Sequence, residues 1–216
     1  MASRLSTASH RAWRAARTSG IGLILLALAA MWIIEIADTL IFDDWLQSGG
    51  IHPRKPDGLD GVLWAPFLHS DFGHVFSNSV PLFAMGGLVA ARGFRYWSQV
   101  TVTVALVGGF STWLLAGGSN HIGASGIVFG YFGVLLGAAW FERRPAALGA
   151  ALLAIFLYSG LVAGLVPQPN LSWEGHLFGF LAGVICAKIL AEPIERRDPD
   201  DPGDVQPWEL DEPWLK

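Results

Sequence analysis

His121 to Leu136 reads HIGASGIVFGYFGVLL, a serine set between small residues at the mouth of an apolar helix. In a G-x-S-G turn the small neighbours let a substrate backbone approach, and the following N–H groups stay free to bind an oxyanion, so Ser125 is a candidate nucleophile. The same residues fit a second reading, in which Ser125 and the glycines only let two helices pack closely. The stretch alone leaves both open.

Around it lies an apolar chain. Of 216 residues, 52% are hydrophobic and only 15% charged, and the apolar runs approach bilayer-spanning length. An integral membrane protein is expected, with no nucleic acid among its partners and the lipid bilayer as its solvent. The net charge of −4 hides an asymmetry, because half of the 18 acids fall between Glu192 and Glu212. The single cysteine, Cys186, cannot form an internal disulfide and sits in an apolar run, which suits packing.

In chain order, residues 1–19 carry Arg4, Arg11, Arg14 and Arg17 and no acid, as a cytoplasmic basic flank would. Ile21 to Ile41 is long enough to span, whereas a signal peptide would have a shorter apolar core. Glu35 and Asp38 fall in its last third and must face protein or water. Asp43 to Gly61 reads as a polar loop, followed by an interfacial segment around Trp64 and Phe67. Five more apolar runs follow: Val75 to Ala91, Val100 to Ala116, Ile122 to Phe141, Ala146 to Val166 and Gly175 to Leu190. The expected fold is an all-α membrane protein, a six-helix antiparallel bundle over residues 20–192, with an acidic, proline-rich and disordered cytoplasmic tail at 193–216.

Six spans put both termini on one side, and charge chooses which. With the N-terminus cytoplasmic, 12 of the 14 basic residues lie inside and only Arg54 and Lys55 outside. The second, fourth and sixth helices then run inward from the outer face. His74, Ser125 and His176 each fall near the start of one of them, at one depth that water can reach.

Spacing brings the groups together. Gly126, Gly130, Gly133 and Gly137 share a face of the fourth helix, and Gly175, Gly179 and Gly183 form a stripe on the sixth. Packing of Gly126 against Gly179 and Gly183 would bring Ser125 within reach of His176, a candidate general base. His74 and Asn78, at i and i+4, can aim two donors at one spot as oxyanion ligands, with the Ser125 N–H as a third. Interhelical hydrogen bonding is the plainer reading of the same two residues.

Three motifs carry a resemblance. LHSDFGHVFSN at Leu68 to Asn78, GASG at Gly123 to Gly126 and GHLFGFLAG at Gly175 to Gly183 resemble the H-x-x-x-N, G-x-S-G and H-x-x-G-x-x-x-G patterns of the rhomboid family of intramembrane serine proteases. The resemblance covers roughly Trp64 to Leu190. It implies a six-transmembrane-helix rhomboid-like bundle with Ser125 as nucleophile, His176 as general base, and His74 and Asn78 as oxyanion donors. It also implies transmembrane protein substrates, entering laterally and cut near their outer ends, and a multi-pass protein of the plasma membrane.

The chain departs from the pattern in places. The family's Trp-Arg pair of the first loop is not found before His69, and of its Glu-x-Arg after the second helix only Arg92 remains. Phe129 stands where tyrosine is frequent and can pack on the imidazole without donating a hydrogen bond. Glu174 is on a different helix face from His176, so no acid completes a triad and a Ser-His dyad is expected. Two other classes remain: an inactive membrane-protein-binding relative, and a metal protein built on His69, His74, His121 and His176. No H-E-x-x-H is present and no carboxylate or thiolate stands at ligand spacing, so neither metal nor cofactor is expected.

Overall fold

A computed structural model describes residues 2–168 and 171–191, with side chains from Gly20 onward. The expected acidic tail, 193–216, falls outside the described residues. Six long helices account for most of the chain: α1 (Ala2–Ile41), α2 (Phe72–Ala90), α3 (Phe94–Leu115), α4 (Ser125–Glu142), α5 (Pro145–Tyr158, continued as a 3-10 coil over Ser159–Leu165) and α6 (Trp173–Leu190). There is no strand among the described residues, only one isolated bridge, Ile51 to His121. Five of the six helices are long and apolar enough to cross a membrane. The exception is α2, whose 19 residues include His74, Ser77, Asn78, Ser79 and Pro81 and so dilute its apolar content.

Local chemistry sets the boundaries. The Asp71 carboxylate caps α2 by accepting the His74 N–H at 2.8 Å, which fixes His74 as the third helical residue. Gly93 at φ 109° turns the chain from α2 into α3, so α3 starts six residues before the expected Val100. Inside α3, Val104–Gly108 forms a π turn that no hydropathy pattern announces. Arg143 in the left-handed region ends α4, and Pro145 opens α5.

The centre of the bundle is α4, which buries most of its residues, while the outer helices expose leucine, isoleucine and phenylalanine as lipid-facing surface. Its most extensive contact is with α6. There the helices touch through backbone: a methyl added to Gly179 would overlap the Gly126 carbonyl, and one added to Gly183 the Gly130 carbonyl. Gly126 itself has room, since a methyl there would meet its nearest neighbour, the Gly175 carbonyl, at 3.5 Å. Polar clamps tie the other helices in: Tyr131 with Thr101 at 2.8 Å, and Trp32 donating to Ser79 at 3.1 Å. Arg92, which lacks the acid of the family pattern, pairs at 2.6 Å with buried Glu142 from α4 and lies over the Tyr96 ring.

At the Ser125 end, the first loop is bound down at many points. Asp38 accepts the N–H groups of Leu46 and Gln47 at 2.7 and 3.0 Å, which accounts for a carboxylate buried in the last third of α1. Arg54 donates to the Ala116 carbonyl at 2.6 Å, Trp113 donates to the Lys55 carbonyl, and Asn120 donates to the Gln47 carbonyl. The Gly123 N–H donates to the Ala65 carbonyl at 2.8 Å, so the loop holds the turn that leads into Ser125.

The backbone contact between α4 and α6 predicts a position-specific effect. Gly179→Ala or Gly183→Ala should destabilise by about 1–3 kcal/mol or more, because a backbone must move. Gly126→Ala and Gly22→Ala have space for the methyl and should gain up to about 1 kcal/mol of helix propensity. Thermal unfolding of the four variants in one detergent tests this, and equal melting temperatures would refute the close approach.

Candidate active site

Ser125 is the first residue of α4 and His176 the fourth of α6, so the close packing of these two helix starts brings their side chains together. Ser125 Oγ lies 2.8 Å from His176 Nε2. On the other side of the ring, His176 Nδ1 is 2.9 Å from the Gly164 carbonyl. A carbonyl only accepts, so Nδ1 carries the proton and Nε2 is left to accept the serine hydroxyl. Phe129 stacks on the imidazole at 4.2 Å with a 10° interplanar angle and prevents it from tilting. The imidazole is thus oriented by a backbone acceptor and an aromatic face. Glu174 instead accepts the Gly117 N–H at 3.2 Å.

The other two sequence candidates converge beside Ser125. A methyl on Gly123 would sit 2.7 Å from His74 Nε2 and 3.8 Å from Asn78 Nδ2. Asn78 Nδ2 donates one hydrogen to the His74 carbonyl at 2.9 Å and keeps a second. The Ser70 N–H donates to His74 Nδ1 at 3.3 Å, so the neutral ring carries its proton on Nε2, the side that faces Gly123. Because Ser125 and Gly126 open a helix, their N–H groups have no intrahelical acceptor. Several donors therefore border one small space next to the hydroxyl.

Ser125 lines cavities of contrasting character. One of about 660 Å³ is polar, bordered by Gln47, Ser119, Asn120, Gln168, Ser172 and Glu174. Another, of about 240 Å³, lies between α2 and the coil after α5, bordered by Pro81, Val128, Phe129, Gly160, Leu161 and Gly164. The hydroxyl thus faces both a polar basin and an apolar recess.

Around the site, His121 links three elements that sequence reasoning did not connect. Its backbone pairs with Ile51, while Nδ1 lies 2.6 Å from Ser172 Oγ and Nε2 3.2 Å from Ser119 Oγ. Burial holds its pKa below the ordinary value. The Asp71 carboxyl is also held low, chiefly by the His74 N–H and then by the Ser70 hydroxyl. His69 packs edge-on against His74 at 4.9 Å, with both ring nitrogens buried and neither in a well-formed hydrogen bond. Among residues 20–168 and 171–191, no three His, Cys, Asp or Glu side chains are grouped as a metal site would need.

Comparison with known proteins gives matches over this same region. A family model described as "Rhomboid domain" matches residues 59–193. "Uncharacterized protein Rv1337" of Mycobacterium tuberculosis (strain ATCC 25618 / H37Rv) is 36% identical over 180 residues, covering 79% of this chain and 75% of that one. "Uncharacterized protein ML1171" of Mycobacterium leprae (strain TN) is 34% identical, covering 79% and 71%. "Putative rhomboid protease YdcA" of Bacillus subtilis (strain 168) is 27% identical over 132 residues, covering 60% and 66%.

The buried histidine beneath the site makes stability depend on pH. Burial, and after it the charge of His74, lowers the His69 pKa from 6.5 to about 4. The unfolded chain therefore takes up a proton near pH 6.5 that the folded chain refuses until near pH 4. The resulting stability is fully present above about 6.5 and is lost as pH falls toward 4. At about 1.4 kcal/mol per pKa unit, His69→Leu should abolish up to roughly 3 kcal/mol of acid destabilisation. Denaturation between pH 4 and 8 measures this, and an unchanged acid slope in the variant would contradict it.

Proposed function

The chain belongs to the rhomboid family, and on that premise we propose that it is an intramembrane serine protease that cuts transmembrane proteins near the outer membrane face. The carrying observation is the 2.8 Å contact between Ser125 Oγ and His176 Nε2 at a water-accessible end of an apolar bundle. In this reading α2 is the sixth membrane crossing. Both termini are cytoplasmic and the Ser125 end faces outward, across the plasma membrane.

The chemistry follows from the hydrogen bonds. His176 Nε2 takes the proton as Ser125 Oγ attacks the scissile carbonyl, and the Gly164 carbonyl steadies the imidazolium through Nδ1–H. Negative charge developing on the carbonyl oxygen is met by the Ser125 N–H, the free Asn78 amide hydrogen and His74 Nε2–H. His176 then returns the proton to the leaving amine. Water from the polar basin hydrolyses the acyl-enzyme by the same steps in reverse order. In this reading a chain arriving from lipid enters by the apolar recess between α2 and α5. The basin supplies the water that a bilayer interior lacks. Gly179 and Gly183 serve the reaction indirectly, by letting α6 approach the Gly126 and Gly130 carbonyls of α4.

Purified protein in detergent should cleave a single-span test substrate without a metal requirement, and Ser125→Ala should abolish cleavage. Asn78→Ala should lower kcat with little change in KM, by about 3–4 kcal/mol in barrier if its bond strengthens only as charge develops. Cleavage surviving in a contaminant-free Ser125→Ala preparation would overturn the proposal. An unchanged kcat in Asn78→Ala would assign that residue to packing.

A further inference from the structure

The polar basin holds a charge that bond cleavage does not use. Among its described lining residues Glu174 is the single formally charged side chain, beside neutral Gln47, Ser119, Asn120 and Gln168. Glu174 precedes His176 by two residues, which sets it about 3 Å further out along the helix. Its contact with the Gly117 N–H leaves most of a carboxylate's four acceptor positions for another donor. The surroundings reinforce it. Within residues 20–191, eight of nine acids lie at the Ser125 end of the bundle, and the ninth, Glu142, pairs with Arg92 at the other. Of seven bases in the same range only Arg54 and Lys55 share the Ser125 end, and Arg54 is bound to the Leu114 and Ala116 carbonyls. Membrane orientation explains why bases are scarce there. It does not explain an excess of acids, which orient membrane proteins weakly.

We propose that the basin receives the extended segment of substrate on the aqueous side of the scissile bond, and that Glu174 makes it select a lysine or arginine there. This rests on the protease reading and adds the substrate class: membrane proteins with a basic residue just outside the span. An extended chain advances about 3.3 Å per residue, so the selected position lies within about three residues of the cut. The net negative charge at this end of the bundle draws such segments in before Glu174 reads them.

The test uses the full chain in detergent and a single-span substrate in which Lys, Gln or Glu is stepped through the aqueous-side positions. At one register Lys should exceed Glu in kcat/KM by about fivefold, and the ratio should shrink as salt rises. Glu174→Gln should bring the ratio near one and Glu174→Lys should invert it. If Glu174 only clasps Gly117, both variants would scale all three substrates alike, and that result, or a wild-type ratio near one, overturns the inference. Fluorescent peptides of the same three sequences, titrated onto Ser125→Ala protein, give the charge preference without turnover. Absence of cleavage would then count against the protease reading, while equal binding of the three peptides would count against the role of Glu174.

Discussion

Everything at the site depends on two helices approaching until their backbones touch. With a side chain at Gly179 or Gly183, α6 would be forced away from the Gly126 and Gly130 carbonyls, and a hydroxyl and an imidazole now at hydrogen-bond distance would separate. In a bilayer there is no hydrophobic gain from bringing helices together, because lipid is as apolar as leucine. Close backbone contact and interhelical hydrogen bonds supply the attraction instead. Glycine placement is therefore both a fold requirement and a geometric condition on the proposed chemistry.

The second condition is that polar groups in an apolar body be bound, since an unpaired one costs several kcal/mol. Asp38 meets it with two loop amides, Glu142 with Arg92, and His176 with the Gly164 carbonyl and Ser125. The same bonds that make burial tolerable also fix side-chain orientation and tautomer. His69 departs from this rule, neither ring nitrogen making a well-formed hydrogen bond, and the outcome is a neutral ring against His74 down to acid pH.

Much of this could be read in the sequence, for stated reasons. Apolar run lengths located the long helices, and the i, i+4 spacing of His74 and Asn78 and the glycine rhythms of α4 and α6 assigned faces. Helix α2 was harder, because the polar residues that border the site also lower its apolar content, leaving five helices that qualify as spans by composition. The orienting partner of His176 had no signal, since it is a main-chain carbonyl, which every residue carries. The Glu142 partner of Arg92 and the His121–Ser172 contact join segments 50 and 51 residues apart, a distance across which single-sequence periodicity carries no information. The π turn in α3 lies where Gly130 makes room for Val104 and Gly108 for Gly179, close contacts between helices that have no local sequence pattern.

The central claim is that His176 activates Ser125 as a nucleophile. Its most direct measurement is mass mapping of the purified protein after exposure to a fluorophosphonate, which reports the hydroxyl's reactivity without any substrate. The account predicts a single adduct on Ser125 that is lost or strongly slowed in folded His176→Ala protein. No adduct on Ser125, or one that forms at the same rate without the imidazole, would contradict it.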